Sequence, residues 1–500
     1  MDISELFQSP GGAIENFFKA QVQLYRHDRS LHDYFMPLQM SALSSAGPAS
    51  SGPGPNFRKS LPIRIADHVS RMRDRRKIKA DVLVCPNPDS GRRTETRFLI
   101  RQLLGIAETG ASILCLLPSN ATSRSEIDAA LETAGRRKQV QFLDPANPLN
   151  PAESSIRRRM ARIRAQSAFA ETIQLLEAIG LSPDSDALNH YHRTAMHVEN
   201  WNRLQDTLEF DAVVTRCHWL PLCSCVSRTA LERGIPTITF QQGVIGHSLD
   251  APVTASSFVA FGKASISFLS ALNAAFYAAA RIPRQPVEYI PGGCFVDEID
   301  DLPNQFSNHT LLIVDIPTGQ SDFYGVENQS QALLQLAKRL LAASSSLRRI
   351  IIRPHPYWSD LEFSACQRLA IEYPTRCEIS HPAWSLEDDL RRSSAIIGIF
   401  SGVVTVASAC GIPSIFLQTE DGYSTGDLAP FSQTQTLMPD AAYTQILRLM
   451  DDAGAYEQAR TAALRNAREY YAGGATLQCT GSFFEPLLKP RRAPLEQALP

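Results

Sequence analysis

The sequence predicts an α/β protein with two doubly wound domains facing each other across a cleft. Three observations carry this. Short runs that are apolar on both faces recur, each followed by a segment of helical length, which is the pattern of a parallel sheet covered on both sides. The alternation occurs twice, over residues 80–300 and again over 301–475, with a polar join at 297–308 between the two series. A chain of 500 residues also exceeds what one ordinary core accommodates.

Residues 1–79 read as a helical extension. Residues 14–25 have helical periodicity, 41–56 form a Gly/Pro/Ser linker, and 63–79 form a strongly basic helix. The first α/β series starts with a strand at 81–85, a loop at 86–91, a helix at 94–108 and a strand at 111–117. A helix at 125–134 and a strand at 139–143 continue it. Residues 152–208 are a mainly helical insertion, crowded with arginines at its start. Strands at 210–215, 236–240, 256–261 and 287–290 resume the pattern, with helices at 222–233 and from 262 onward. Gly234 ends the first of these helices.

The second series has strands at 310–316, 347–353 and 377–379, with helices at 329–344 and 359–372. Residues 385–418, S-L-E-D-D-L-R-R-S-S-A-I-I-G-I-F-S-G-V-V-T-V-A-S-A-C-G-I-P-S-I-F-L-Q, carry its most informative stretch. Ser385 caps a short helix with Glu387, Asp388 and Asp389 at its positive end. The apolar strand 395–400 turns at Ser401-Gly402 directly into a short helix, which Gly411 and Pro413 end before the strand 414–417. A Ser-Gly turn that opens a helix at a strand's carboxyl end offers free N–H groups and a positive dipole, a ready site for phosphate. An ordinary βαβ unit without ligand is the alternative. Helices at 442–453 and 455–471 close the series, and 476–500 form a segment crossing back to the first domain and a tail.

Composition narrows the function classes. Apolar content of 44% and charged content of 20% are globular values, and a net charge of −2 gives no general affinity for nucleic acid. No apolar run reaches the roughly 18–20 residues that span a bilayer. The amino terminus lacks the basic and apolar regions of a signal peptide. A cytoplasmic location is expected, with peripheral contact at the inner membrane surface left open. Of ten cysteines, Cys217, Cys223 and Cys225 cluster with His218, but at no common zinc spacing. No metal is expected there.

Four motifs follow one another at strand ends: F-Q-Q-G at 240–243, F-G-K at 261–263, R-P-H-P at 353–356, and a D-D-L (388–390) to G-I-P (411–413) run. In their order and spacing they resemble the GT-B glycosyltransferases, which pair two Rossmann-like domains. Within these they are most similar to bacterial capsule and lipopolysaccharide enzymes such as capsule Kdo transferases, bacterial polysialyltransferases and CDP-glycerol phosphotransferases. The resemblance covers about residues 81–470. It implies transfer of a sugar from a nucleotide-activated donor to a cell-surface glycan or lipid-linked acceptor, with the nucleotide sugar as co-substrate and no metal or other cofactor. It makes 80–300 the acceptor domain and 301–475 the nucleotide-sugar domain.

The resemblance also implies roles. His355 matches the family's donor-phosphate histidine, with Arg353 beside it as a fixed positive charge; Ser401 and Gly402 match a second phosphate contact, with Thr405 one turn on. Glu420 would meet donor hydroxyls and Lys263 the donor phosphate. The loop bearing Asp89 and Arg92, together with Gln242 and Gly243, would face the acceptor. Where the family commonly has Q-H-G, this chain has Q-Q-G, and Gln242 cannot act as a general base. That role passes to His247 or Asp250, or to Asp89 or Glu95, or is lost. A sugar-nucleotide 2-epimerase and a catalytically inactive GT-B scaffold or glycan-binding subunit are the alternative functions.

Overall fold

In the computed structural model the described residues are 13–27, 43–45, 77–86, 93–117, 121, 123–145, 151–178, 180–183, 187–218, 220–245, 250–294, 302–314, 326–343, 346–353, 360–380, 385–399, 401–419, 428–432, 435–472 and 477–489. Strands β1 (Val82–Cys85), β2 (Ile113–Leu116), β3 (Val140–Leu143), β4 (Ala212–Thr215), β5 (Thr237–Phe240), β6 (Ser257–Ala260) and β7 (Glu288–Pro291) form a seven-stranded sheet in the order β7-β6-β5-β4-β1-β2-β3. All its pairings are parallel. Its helices are α1 (Ala13–His27), α2 (Arg93–Glu108), α3 (Arg124–Thr133), α4 (Pro151–Glu177), α5 (Ala187–Leu204), α6 (Pro221–Glu232) and α7 (Lys263–Ala280).

The second sheet has six strands, β8 (Thr310–Val314), β9 (Arg349–Arg353), β10 (Cys377–Ile379), β11 (Ala395–Gly398), β12 (Ser414–Leu417) and β13 (Thr436–Leu437). Their order is β10-β9-β8-β11-β12-β13, again all parallel. Helices α8 (Val326–Ala343), α9 (Asp360–Glu372), α10 (Leu386–Arg391), α11 (Gly402–Ala409), α12 (Ala429–Ser432), α13 (Pro439–Asp451), α14 (Ala453–Tyr470) and α15 (Gly481–Leu488) complete the chain. Both sheets wind outward for three strands from a central one and then reverse, so each has a topological switch point, between β1 and β4 and between β8 and β11.

The strands form where the apolar runs predict them. Central strands β1, β4, β11 and β12 are buried along their whole length, while the edge strands β3 and β7 are partly exposed. At Gly398 the absent side chain matters: a Cβ there would lie 2.6 Å from Val314 and 2.8 Å from Val404, so glycine lets α11 seat against the sheet. Ser385 caps α10 as expected, with a reciprocal bond between the Asp388 carboxylate and the Ser385 backbone.

Two readings of the amino-terminal extension change. Helix α1 packs into the first core, with Phe18 and Tyr25 meeting Phe276 of α7 edge-on at 5.7 and 5.3 Å. The expected basic helix at 63–79 lies largely outside the described residues, and its end is not helical. Ile78–Lys79 instead pairs as a short strand with Leu208–Glu209, and Lys77 and Lys79 both salt-bridge Glu209. Extended backbone here exchanges intrahelical bonds for ladder bonds across 130 residues of sequence, which local periodicity does not register.

The halves are joined by more than the polar connection. Helix α14 lies against both α11 and α7, and α15 lies against α2. The Gly481 N–H donates to Glu108 at 2.7 Å, and the Leu477 N–H to the Cys294 carbonyl at 2.6 Å. At the centre, Phe261 just past β6 contacts the rings of Tyr470 and Tyr471 at 5.8 and 5.3 Å. The Tyr471 hydroxyl hydrogen-bonds Thr405 of α11. The carboxyl ends of the two sheets therefore converge on one aromatic contact. Among the described residues no helix is long and apolar enough to cross a membrane.

A Cβ at Gly262 would sit 2.2 Å from the Tyr470 carbonyl oxygen. Gly262→Ala should lower stability by about 1–3 kcal/mol through backbone overpacking, seen as a lower urea midpoint at constant slope. Gly402→Ala, with open space around its Cβ, should stay within about 0.5 kcal/mol of the parent. Equal effects at the two positions would contradict this packing.

Candidate functional site

The second sheet presents its site at the switch point. Ser401 is extended and caps α11, its hydroxyl accepting from the Val403 N–H at 3.2 Å. At Gly402, the first helical residue, no atom outside its own turn lies within 4 Å of where a Cβ would be. Ser401 and Gly402 are half-buried, whereas Val404 through Ser408 are buried. The eight-residue helix thus offers only its amino end to the cleft, with the positive end of its dipole outward.

Thr405 does not join this surface. It is fully buried, donates to the Gly402 carbonyl at 2.8 Å and bonds the Tyr471 hydroxyl. Its oxygen serves the contact between α11 and the crossover, because one turn into the helix the side chain points onto α14 rather than the cleft.

Arg353 at the end of β9 also differs from expectation. It is not a free positive charge: its guanidinium lies 2.5 Å from the Asp389 carboxylate, which is wholly buried in α10. Ser380 donates to the same carboxylate at 2.6 Å, and the Ser385 carbonyl accepts from Arg353 at 3.4 Å. The charge of Arg353 is thereby balanced within the protein, and the residue fixes the start of α10 to the end of β9. The D-D-L motif divides accordingly, Asp388 capping and Asp389 pairing.

On the first sheet the residues after β4 organise the site. Arg216, 2% exposed, grips both oxygens of Glu95 of α2 at 2.8 and 3.1 Å and donates to the Gln241 carbonyl at 3.1 Å. Its guanidinium also lies 4.7 Å from the centre of the Phe98 ring. Glu95, weighed above as a base, is occupied by this pair. Gln241 then shapes the turn: its amide donates to the Gly243 carbonyl at 2.8 Å and accepts from the Phe261 N–H at 2.7 Å. The Q-Q-G and F-G-K turns are in this way one hydrogen-bonded unit. Gln242 is half-buried, and its side-chain oxygen is buried without a hydrogen-bond partner among the described residues. Gly243 and Lys263, the first residue of α7, are exposed.

Asp250, expected as a possible base, is buried at 7% exposure. Its carbonyl accepts from His218 Nε2 at 3.0 Å, leaving His218 Nδ1 as a buried acceptor with no partner among the described residues. Burial drives the His218 pKa down to about 4. Cys85, Cys217 and Cys223 converge beside it, with 3.6 Å between the sulfurs of Cys85 and Cys223. Burial pushes the Cys217 thiol well above its ordinary range, as suits inert core thiols. Asp89, Arg92, His247, His355 and Glu420 lie outside the described residues.

Sequence reasoning missed Arg216, its bond to Glu95, and Tyr471. Arg216 left a signal: a charged residue immediately after a short, mainly apolar strand of the central, buried kind must be paired or stranded. Tyr471 left none, since its partner is 66 residues away on another element.

No family model matches the sequence, and no curated protein matches it significantly. Solved structures do. The chain is similar to the N-terminal domain of trehalose-6-phosphate phosphatase from Candida albicans, at 9% identity and a TM-score of 0.50, covering 84% of this chain and 98% of that one. It is also similar to a UDP-forming α,α-trehalose-phosphate synthase from Burkholderia vietnamiensis, at 12% identity and a TM-score of 0.49, covering 82% and 97%. A UDP-GlcNAc 2-epimerase from Neisseria meningitidis, solved with UDP-GlcNAc, matches at 14% identity and a TM-score of 0.47, covering 82% and 100%. At such identities the likeness is one of fold, and the fold is the GT-B arrangement of two Rossmann-like sheets.

Two outcomes follow for the first-sheet site. Glu95→Gln leaves the Arg216 charge buried and unbalanced, so it should cost about 3 kcal/mol in urea unfolding, and an unchanged midpoint would contradict the pair. His218 is neutral when folded and takes up a proton when unfolded at any pH between its ordinary 6.5 and about 4. The unfolded chain binds more protons there, so stability should fall as pH drops through that window, and His218→Gln should flatten the slope.

Proposed function

We propose that the protein is a GT-B glycosyltransferase that moves a sugar from a nucleotide-activated donor to a cell-surface glycan or lipid-linked acceptor. The observation that carries this reading is the open amino end of α11, at Ser401-Gly402, placed at a switch point that the crossover holds against the carboxyl edge of the first sheet. In this reading the donor phosphates rest on the N–H groups of the α11 start and on the Ser401 hydroxyl. His355 and the Lys263 ammonium add charge as the nucleotide departs, and Glu420 meets donor hydroxyls. Fixed positive groups of this kind stabilise a leaving phosphate without a metal. The acceptor enters over Gln242, Gly243 and the loop of Asp89 and Arg92. His247 takes its proton, since Asp250 and Glu95 are held inside the protein. A lipid-linked acceptor would bring the protein to the inner membrane surface as a peripheral partner.

A second reading, a catalytically inactive GT-B scaffold or glycan-binding subunit, is favoured by one observation. Among the described residues of the first-sheet site no exposed carboxylate or imidazole belongs to the turn: Gln242 cannot titrate, Glu95 is paired, Asp250 and His218 are buried, and the exposed Lys263 is the one titratable side chain.

A thermal-shift panel of CMP, CDP, UDP and GDP tests the donor site. One nucleotide at a hundredfold excess over its dissociation constant should add about 2.7 kcal/mol of stability. Gly402→Asp, which sets a carboxylate against the phosphate, and His355→Ala should abolish the shift. Absence of any shift would refute the nucleotide site. Release of free nucleotide with glycan elongation marks a transferase; an isomerised sugar nucleotide marks an epimerase. In a transferase His247→Ala should slow turnover by about 10²–10⁴-fold, and retained activity would exclude it as the base.

A further inference from the structure

Helix α4 turns a basic face outward from the first domain. Between Ser154 and Ala170 the sequence holds five arginines, at 157, 158, 159, 162 and 164, and no aspartate or glutamate. The opposite face of the helix is taken up by packing: Ala161, Ala165 and Ala168 are buried, and α4 lies along α5. Arg158, Arg159 and Arg162 are exposed. Ile156, beside them, is 60% exposed. Helical spacing sets Ile156, Arg159 and Ile163 in one stripe, with Arg158 and Arg162 next to it.

The positive charge of this face is not cancelled locally. Arg164 pairs with Glu199 of α5 at 3.0 Å. The next acid along the helix, Glu171, pairs with His27 at 2.7 Å. Arg158 is engaged elsewhere, but Arg159 and Arg162 make no hydrogen bond or ion pair among the described residues. Like charges three or four residues apart oppose a helix. Arg158 and Arg159 both stand in that relation to Arg162, so helix stability does not account for the run. The chain's overall balance does not account for it either, since the net charge is −2 and the surplus is confined to this stretch.

We infer that this face of α4 docks on an anionic lipid surface. Clustered arginines on a helix are drawn to the potential of anionic headgroups, and each guanidinium fork matches phosphate oxygens. An exposed isoleucine in the same stripe enters the boundary between headgroups and acyl chains, as the apolar residues of interfacial helices do. Nucleic acid offers the phosphates but no apolar layer for Ile156, so lipid is the better match. The inference rests on the function proposed above for its reason, a lipid-linked acceptor, while α4 alone carries the surface.

Co-sedimentation of the full chain with vesicles, at low salt and without nucleotide, tests it. The parent should bind vesicles of equimolar phosphatidylglycerol and phosphatidylcholine, not those of phosphatidylcholine alone, and added salt should release it. Arg158→Gln, Arg159→Gln and Arg162→Gln together should weaken binding about a hundredfold. Ile156→Ser should weaken it about fivefold. The same loss of charge placed elsewhere, as Arg348→Gln, Arg465→Gln and Arg468→Gln, should leave it within about threefold. All these positions are exposed, so melting temperatures should match the parent's, and the α4 variant should keep the parent's nucleotide shift. Three results would overturn the surface: a parent that ignores anionic vesicles, equal losses in the two triple variants, or tighter binding to a DNA duplex than to the vesicles. A parent that binds the vesicles but shows no nucleotide shift would remove the transferase reading and leave this surface standing.

Discussion

The contact between Phe261, the Tyr470–Tyr471 pair and Thr405 is the constraint on which the rest depends. Each sheet could fold its own switch point alone, but a switch point is one wall of a cleft. The second wall is placed by the chain's return from α14, where the Tyr470 carbonyl lies so close to residue 262 that only glycine fits. The Tyr471 hydroxyl then reaches α11 and fixes its first turn through Thr405. Fold and site share one joint, so a change at Gly262 is a change in the geometry of Ser401 and Gly402.

Buried ion pairs do the positioning on both sides. Arg216 with Glu95 anchors the exit of β4 and orients Gln241, which sets the Q-Q-G turn. Arg353 with Asp389 anchors the exit of β9 to the capped start of α10. Each pair neutralises itself, so neither adds net charge to the cleft. In the proposed donor site the positive charge comes from the α11 dipole and from groups beyond the pairs. Such pairs are costly to desolvate and costly to break, and they hold loop exits in one arrangement.

The fold was legible because parallel sheets announce themselves: β1, β4, β11 and β12 are mainly apolar, are buried along their whole length and sit between capped or glycine-ended helices. Ser401-Gly402 was legible for the same reason, a local turn with a local mechanism. The partners of the charged residues were not. Arg353 read as a phosphate ligand because its neighbours in sequence are Pro354 and His355, while its carboxylate is 36 residues on. Thr405 read as a ligand from helical spacing alone, although spacing does not reveal that α14 covers that face. Glu95 read as a base until the arginine 121 residues later took both its oxygens. Pairings between distant elements follow from tertiary packing, which no local period encodes.

The most direct measurement is amide hydrogen exchange of the full chain with and without saturating CMP, CDP, UDP or GDP. A phosphate on the α11 start should slow exchange at residues 402–404, and at the turn 241–243 once the cleft closes, while the amino ends of β8 and β9 stay unchanged. Protection confined to other segments, or none at 402–404 under saturating nucleotide, would contradict a donor site built on that helix.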